Sequence, residues 1–195
     1  SVVEAMKKVG EEQGVIFHTS ANVSQIETNG KGAKGLIVNN SMHNSDVVLS
    51  GADYNHTELL LNEKDRAYSS NYWKKKTFAP SALLFYVGIS KKLKGILHHM
   101  LFFDESFDVH AKEIYDHPQW PLKPLFYSSF PSVTEEQCAP NGHENGTFLI
   151  PIATGIEDNQ EIRESYFNKI LKRFEIMTGH DISNDIVLKK SYSVN

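Results

Sequence analysis

The pattern of hydrophobic and polar positions divides the chain into two parts, with the change near residue 53. In the first part, an amphipathic segment precedes short apolar runs separated by glycine and asparagine, which is typical of a small meander of strands. In the second part, strand-like runs recur between segments of helical period. The predicted strands are 15–19, 23–28, 35–39 and 46–50 in the first part, and 82–89, 98–103, 125–130, 147–153 and 185–192 in the second.

Helical periodicity complements these strands. Two capping-box spacings, Ser1 with Glu4 and Asp158 with Glu161, mark helix starts, and Gly179 marks the end of the last helix. The sequence therefore indicates an α+β protein, in which a mostly antiparallel sheet with flanking helices follows a small helix-and-meander piece. The predicted helical segments are 1–13, 52–76, 105–116 and 159–178.

The end of the strand predicted over 46–50 is the first candidate site. Three apolar residues predict a short buried strand, which stops at the small residues Ser50, Gly51 and Ala52. A helical pattern begins at once with Asp53, and its leucines at 59–61 are expected to be buried. Small residues at a strand end let a second backbone or a flat ligand approach closely.

Composition narrows the function classes. A net charge of −4 in 195 residues does not favour a nucleic-acid partner. Aromatic residues make up 11%, which suits a well-filled core and also a flat apolar ligand. The single Cys138 excludes an internal disulfide, and no secretory signal is visible, so a cytoplasmic location is expected. The longest apolar run, 82–89, is shorter than the ~20 residues that span a bilayer.

Two motifs with chemical associations are better explained structurally. Gly30, Gly32 and Gly35 match the G-x-G-x-x-G pattern, but a strand follows instead of the helix that would bind a pyrophosphate. A solvated hairpin turn is therefore predicted. His98 and His99 are neighbours on a predicted strand, so they are expected on opposite faces. No metal site is predicted.

A basic cluster follows two aromatic residues at the end of the predicted helix 52–76. Tyr72 and Trp73 precede three consecutive lysines at 74–76. We favour lysines that compensate the dipole of a helix C-terminus. Docking on an anionic membrane surface is the alternative, because lysines beside aromatic rings suit that environment.

Several stretches together resemble the phytoene desaturases and related carotenoid dehydrogenases. The resemblance covers nearly the whole chain and consists of runs of consecutive matching residues. By that resemblance, the intact enzyme binds FAD and introduces double bonds into a long, phytoene-like polyene by hydride transfer to the flavin. The stretches are S-G-A-D at 50–53, Y-W-K-K-K-T-F-A-P-S-A-L-L-F-Y-V-G at 72–88, L-H-H at 97–99, F-D-E-S-F at 103–107 and A-P-N-G at 139–142.

The resemblance also implies positions for cofactor contacts. Val23 matches a strand position whose backbone lies near the adenine of FAD. Ser50, Gly51, Ala52 and Asp53 match the strand end beside the cofactor. Gly51 departs from the usual Asn, so any contact of that amide side chain is lost. No catalytic acid or base is assigned.

The same comparison predicts a partial enzyme. The family's N-terminal dinucleotide fingerprint and its C-terminal flavin segment have no counterpart here. Residues 1–53 are interpreted as the central piece of the FAD-binding domain, and residues 54–195 as the substrate-binding domain. In a variant of this assignment, the last strand returns to the FAD domain. We expect that the chain alone neither binds FAD nor catalyses desaturation.

Other functions remain open on the sequence. A carotenoid oxygenase, a carotenoid isomerase or a retinol saturase would use the same scaffold. A standalone module that binds a hydrophobic ligand without redox chemistry is an alternative from another class. In each case the expected partner is a long hydrophobic molecule, with peripheral contact to a membrane surface left open and no nucleic acid.

Overall fold

The computed structural model describes residues 1–194 and divides the chain into two compact units. The first unit comprises Ser1–Lys76, and the second begins at Thr77. The division lies after the helical segment 52–76, which the sequence analysis had assigned to the second part. The assignment of flavin and substrate domains to 1–53 and 54–195 stays a prediction.

The first unit begins with a helix and a three-stranded antiparallel meander. Helix α1 (Val2–Glu12) is capped by the predicted capping box of Ser1 and Glu4, and none of its residues is buried. Strands β1 (Val23–Thr28), β2 (Ala33–Val38) and β3 (Ser41–Asn44) pair in sequence order.

Sequence analysis missed strand β3 because its four residues are exposed and show no alternation of apolar and polar positions. Asn39 and Asn40 have φ of 47° and 65°, a left-handed conformation that asparagine tolerates better than most residues. The glycine-rich segment is the hairpin turn that was predicted: Asn29 N–H donates to Gly32 O at 3.1 Å, and strand β2 follows. The G-x-G-x-x-G pattern therefore does not precede a helix.

Two predicted strands of the first unit are wrong. Residues 15–19 and 46–50 form no strand, and neither belongs to a sheet of the described chain. Val47 and Leu49, expected in a buried strand, are 78% and 95% exposed. A strand needs a neighbouring backbone for its N–H and C=O groups, and the described residues supply none here.

The predicted helix over 52–76 is also wrong as a single element. Two short helices, α2 (Tyr54–Leu59) and α3 (Ser70–Trp73), flank a 3-10 turn at Glu63–Asp65. Leu59 is exposed, against expectation, whereas its neighbour Glu58 is buried. A buried carboxylate, not a leucine, therefore organises this segment.

Glu58 connects the pieces of that segment through hydrogen bonds. Its carboxylate accepts from the backbone N–H groups of Ala67 and Tyr68 at 2.9 and 3.1 Å, and from Trp73 Nε1 at 3.2 Å. These donors satisfy a charge that would otherwise be costly to bury. The aromatic rings of the segment contact one another edge-on or stacked, and Lys76 Nζ lies 4.4 Å from the centroid of the Tyr72 ring.

The second unit is a five-stranded antiparallel sheet with two helices, so the predicted α+β class is confirmed. The predicted elements of this unit are confirmed within a few residues. They are β4 (Ser81–Ile89), β5 (His99–Phe102), α4 (Phe107–Tyr115), β6 (Phe126–Ser129), β7 (Glu144–Ile152), α5 (Gln160–Thr178) and β8 (Ile186–Tyr192). The strand order is β5-β6-β7-β4-β8, and β8 pairs with β4 inside this unit.

Helix α5 covers one face of this sheet. Phe85 of β4 meets Phe167 with ring centroids 4.8 Å apart, and Phe148 of β7 meets Phe174 at 5.3 Å. All four side chains are buried. Because successive strand residues point to opposite faces, the alternate residues of β4 and β7 face away from α5.

The start of α5 differs from the predicted capping box. Asn159, not Asp158, is the N-cap, and its Oδ1 accepts from Ile162 N–H at 2.9 Å. Asp158 instead accepts from Arg163 Nε at 2.9 Å. Gly179 ends the helix with φ of 74°, as predicted.

We predict that Gly35→Ala destabilises the meander. A Cβ at Gly35 would lie 2.1 Å from the carbonyl oxygen of His43 on the adjacent strand. We expect a loss of about 1–3 kcal/mol in the stability of β1–β3, measured by amide hydrogen exchange of these strands. Gly32→Ala is the matched control, because a Cβ there meets no heavy atom within 4 Å. Equal exchange protection in both variants would contradict the prediction.

We also predict a pH-dependent contribution from Asp158. Hydrogen bonds from the Arg163 guanidinium, opposed by burial, hold the pKa of the Asp158 carboxyl below its usual value. The stabilisation is present above the ordinary Asp pKa of about 3.9 and is lost as the pH falls through the lowered folded value. Asp158→Asn should cost about 1.5–3 kcal/mol near neutral pH.

Urea denaturation at a series of pH values tests this prediction. The difference between Asp158→Asn and the wild type should shrink as the pH falls below about 4. Glu136→Gln, at an exposed position, serves as the control. A difference that stays constant from neutral to acid pH would rule out the ion pair as its source.

Candidate functional site

A depression in the first unit brings together four of the five residues that the family resemblance singled out. Its volume is about 320 Å³. Val23 at the start of β1 lines it together with Ser50, Gly51 and Ala52, whereas Asp53 is outside the lining. The remaining lining residues are Ala21, Asn22, Ile26, Leu36, Val48, Leu49, His56 and Leu60.

The position of this depression follows from how β1 uses both of its edges. On one side β1 pairs with β2, so that Ile26 is opposite Leu36. On the other side Ile26 N–H donates to the carbonyl oxygen of Leu60, just after α2, at 2.8 Å. This bond brings the segment that contains α2 against the meander and closes one wall of the depression.

The polar candidates at the depression have structural partners. The hydroxyls of Ser50 and Thr57 lie 2.6 Å apart, and Ser50 Oγ accepts from Ala52 N–H at 3.3 Å. Asp53 is the N-cap of α2, and its Oδ1 accepts from His56 N–H at 3.1 Å. These contacts fix the shape of the loop.

Gly51 leaves the loop backbone accessible. A Cβ at this position would meet no heavy atom within 4 Å, so open space lies beside the backbone here. The surface offered to a ligand therefore combines apolar side chains with exposed peptide groups. It suits the edge or face of a flat ring system better than a charged group.

The second unit contains an apolar groove of about 310 Å³ between the sheet and α4. Sequence analysis did not identify these residues as a site, because their proximity depends on strand pairing. The lining residues are Pro80, Leu101, Phe103, Phe107, His110, Ala111, Ile114, Tyr115, Leu125, Phe126, Tyr127, Leu149 and Pro151.

On the sheet face that points away from α5, an apolar row begins in this groove with Leu101, Tyr127 and Leu149 and continues beyond its lining. Neighbouring positions on the five strands form this row, which at ~4.8 Å per strand spans about 19 Å. The apolar row is Leu101, Tyr127, Leu149, Leu84 and Tyr192. A polar row runs parallel to it, two residues away on each strand and on the same face of the sheet. The polar row is His99, Ser129, Thr147, Tyr86 and Lys190.

His110 anchors α4 beside this groove. Its side chain is 3% exposed. The Nε2–H group donates to the carbonyl oxygen of Pro151 at 2.8 Å, and Nδ1 accepts from Leu125 N–H at 3.1 Å. Both ring nitrogens are thus paired, which assigns the neutral tautomer with the proton on Nε2. His110 is therefore a structural part of the groove wall.

The prediction that His98 and His99 lie on opposite faces is wrong. Their rings stack with centroids 4.0 Å apart, because β5 begins at His99 and His98 precedes the alternation. His99 Nδ1 lies 2.5 Å from the Tyr127 hydroxyl, and His98 Nδ1 lies 2.7 Å from Thr134 Oγ1. Within residues 1–194, no group of three or more side chains is arranged to hold a metal ion.

The chain is similar in sequence to several known proteins. The chain is 38% identical over its whole length to a carotenoid 3,4-desaturase from Haloarcula japonica, of which it covers 40%. It is 27% identical over 90% of its length to a 4,4'-diapolycopen-4-al dehydrogenase from Metabacillus indicus, covering 35% of that protein. It is 29% identical over 82% of its length to a phytoene desaturase from Fusarium fujikuroi, covering 28%. No protein-family model matches.

A solved structure has the same fold. An oxidoreductase from Methanosarcina mazei matches 98% of this chain with a TM-score of 0.67 and 18% identity, and the match covers 41% of that protein. The chain thus spans about two fifths or less of the proteins it matches. The sequence matches, which run through both units, are to phytoene and carotenoid desaturases, and this chain is similar to part of each of them.

Proposed function

We propose that this chain is part of an FAD-dependent desaturase that introduces double bonds into a long polyene. The apolar groove of the second unit is the observation that carries the proposal. Among the described residues that line it, none is Asp, Glu, Lys or Arg. The curated relatives named above act, by their names, on carotenoids or phytoene.

The groove and the apolar row have the shape that a linear hydrocarbon requires. A chain laid across the strands would contact one apolar side chain per strand over about 19 Å. Each buried CH2 group contributes about 0.8 kcal/mol, so a long ligand gains affinity from length without any charged contact. Helix α4, held by His110, would cover the ligand on the side of β5 and β6.

The depression of the first unit is the proposed contact with FAD. Val23, Gly51 and Ala52 would meet an apolar part of the cofactor, while Ser50 and Asp53 keep the loop in shape. The described lining includes no Lys or Arg. When bound, the flavin would accept the hydride that desaturation removes from the polyene.

Two other activities are consistent with the relatives. A 4,4'-diaponeurosporene oxygenase from Staphylococcus aureus is 24% identical over 95% of the chain, and one relative is named an aldehyde dehydrogenase. Product analysis of the full-length protein with phytoene, lycopene and retinol would distinguish desaturation from oxygenation, isomerisation and retinol saturation. Binding without flavin reduction would instead identify a non-redox module.

We further propose a cytoplasmic protein that contacts a membrane surface, since a long polyene partitions into bilayers. The exposed lysines at 74–76, beside the aromatic rings of Tyr72 and Trp73, are the residues proposed for that contact. Compensation of a helix dipole is the weaker explanation, because helix α3 before them has only four residues. Among the described helices, none is both long and apolar enough to cross a membrane.

Blocking the groove tests the ligand site. Ala111 lines the groove from α4, whereas its neighbour Lys112 is exposed and outside the lining. We expect Ala111→Trp to weaken binding of the rod-shaped polyene diphenylhexatriene at least about tenfold, because the indole fills the space that the ligand needs. The increase in diphenylhexatriene fluorescence on binding is the measurement.

Lys112→Trp is the matched control and should bind like the wild type. Circular dichroism of both variants checks that α4 is retained. Unchanged affinity in a folded Ala111→Trp protein would show that the groove is not the ligand site.

Filling the open space at Gly51 tests the cofactor contact. In the full-length protein that the proposal implies, Gly51→Leu should lower the molar ratio of bound FAD to protein severalfold. A Cβ there meets no heavy atom within 4 Å, so the new side chain starts into open space beside the loop backbone. The ratio is measured from the flavin and protein absorbance bands. Gly32→Leu, in the β1–β2 turn, is the control and should retain the wild-type ratio. Equal ratios in the two variants would show that the depression is not part of the FAD site.

A further inference from the structure

The boundary between the apolar and polar rows contains a hydrogen-bonded pair that the proposed function does not use. Tyr127 belongs to the apolar row and lines the groove, and His99 belongs to the polar row on the adjacent strand. The Tyr127 hydroxyl lies 2.5 Å from His99 Nδ1. The hydroxyl is therefore held at the line where the apolar surface ends.

This hydroxyl keeps unused hydrogen-bonding capacity. A tyrosine hydroxyl has one proton and two acceptor positions, so the single bond to His99 leaves further positions open. If Nδ1 is protonated, His99 donates and Tyr127 can donate onward. If Nδ1 is unprotonated, Tyr127 donates to His99 and its oxygen can accept. His110, the histidine of the lining, has both nitrogens paired and offers no such capacity.

A pure hydrocarbon would cover this hydroxyl without replacing its water. Removing water from a polar group without a new partner costs free energy, whereas a ligand oxygen at the same place restores the bond. A site built to pair with an oxygen discriminates against an analogue that lacks it.

We propose that Tyr127, oriented by His99, binds an oxygen atom in the end group of a polyene that lies in the apolar groove. The inference rests on the proposed function, since it assumes that a polyene occupies the groove. It adds a specificity-determining residue and a ligand class, the polyene alcohols and aldehydes. The Tyr127 hydroxyl forms a hydrogen bond with the end group, while the apolar row contacts the hydrocarbon.

Competition binding to the 195-residue chain tests the proposal. Geranylgeraniol, geranylgeranial and the matched C20 hydrocarbon, with a methyl group in place of the oxygenated carbon, are each titrated against bound diphenylhexatriene. We expect at least one oxygenated ligand to bind about three- to tenfold more tightly than the hydrocarbon, the worth of one neutral hydrogen bond. Preference for the aldehyde identifies Tyr127 as donor. Preference for the alcohol alone identifies it as acceptor.

Three variants assign the preference to a residue. Tyr127→Phe should abolish it and leave the affinity for the hydrocarbon within about twofold, since the ring remains. His99→Phe removes the orienting nitrogen and should reduce the preference. Tyr115→Phe deletes the other hydroxyl of the lining and should retain it.

The outcomes separate the two proposals. No preference in the wild type, or a preference that survives Tyr127→Phe, overturns the role of Tyr127 while the groove remains a polyene site. Failure of all three ligands to displace diphenylhexatriene overturns the proposed groove function, and the role of Tyr127 with it.

Discussion

The packing of α5 on one face of the five-stranded sheet is the constraint on which the second unit depends. Phe85 and Phe148 point into that contact, and the period of two in a strand then forces their neighbours to the opposite face. A shift of register by one residue would exchange the two faces, so the buried phenylalanines fix the register. The apolar row that faces the groove is a consequence of the core on the other side.

The same dependence explains which predictions succeeded. In the second unit each strand finds its neighbours within the described chain, and the elements read from periodicity are confirmed. In the first unit, residues 15–19 and 46–50 have strand-like composition but no strand beside them, so their apolar side chains stay exposed. Local pattern predicts a strand only where tertiary structure supplies the second half of the hydrogen bonds.

The candidate sites show a similar division. Family resemblance selected Val23 and the loop 50–53, and four of these five residues line one depression, although periodicity alone could not connect β1 with that loop. The family resemblance could not reveal that Ser50 pairs with the Thr57 hydroxyl and that Asp53 accepts from the backbone N–H of His56. The groove was beyond residue-level prediction, because Leu101 and Leu149 become near neighbours only through two successive strand pairings.

The hydrogen bonds that the polar side chains of the groove already form within the protein determine which ligands the groove can bind. His110 is saturated by Pro151 and Leu125, so a hydrocarbon can lie against the groove wall without stripping water from an unpaired ring nitrogen. Tyr127 is only partly satisfied, and it stands where the apolar row meets the polar row. If a polyene occupies the groove as proposed, dispersion and burial would determine how tightly it binds, whereas the partly paired Tyr127 hydroxyl would determine which end group is preferred.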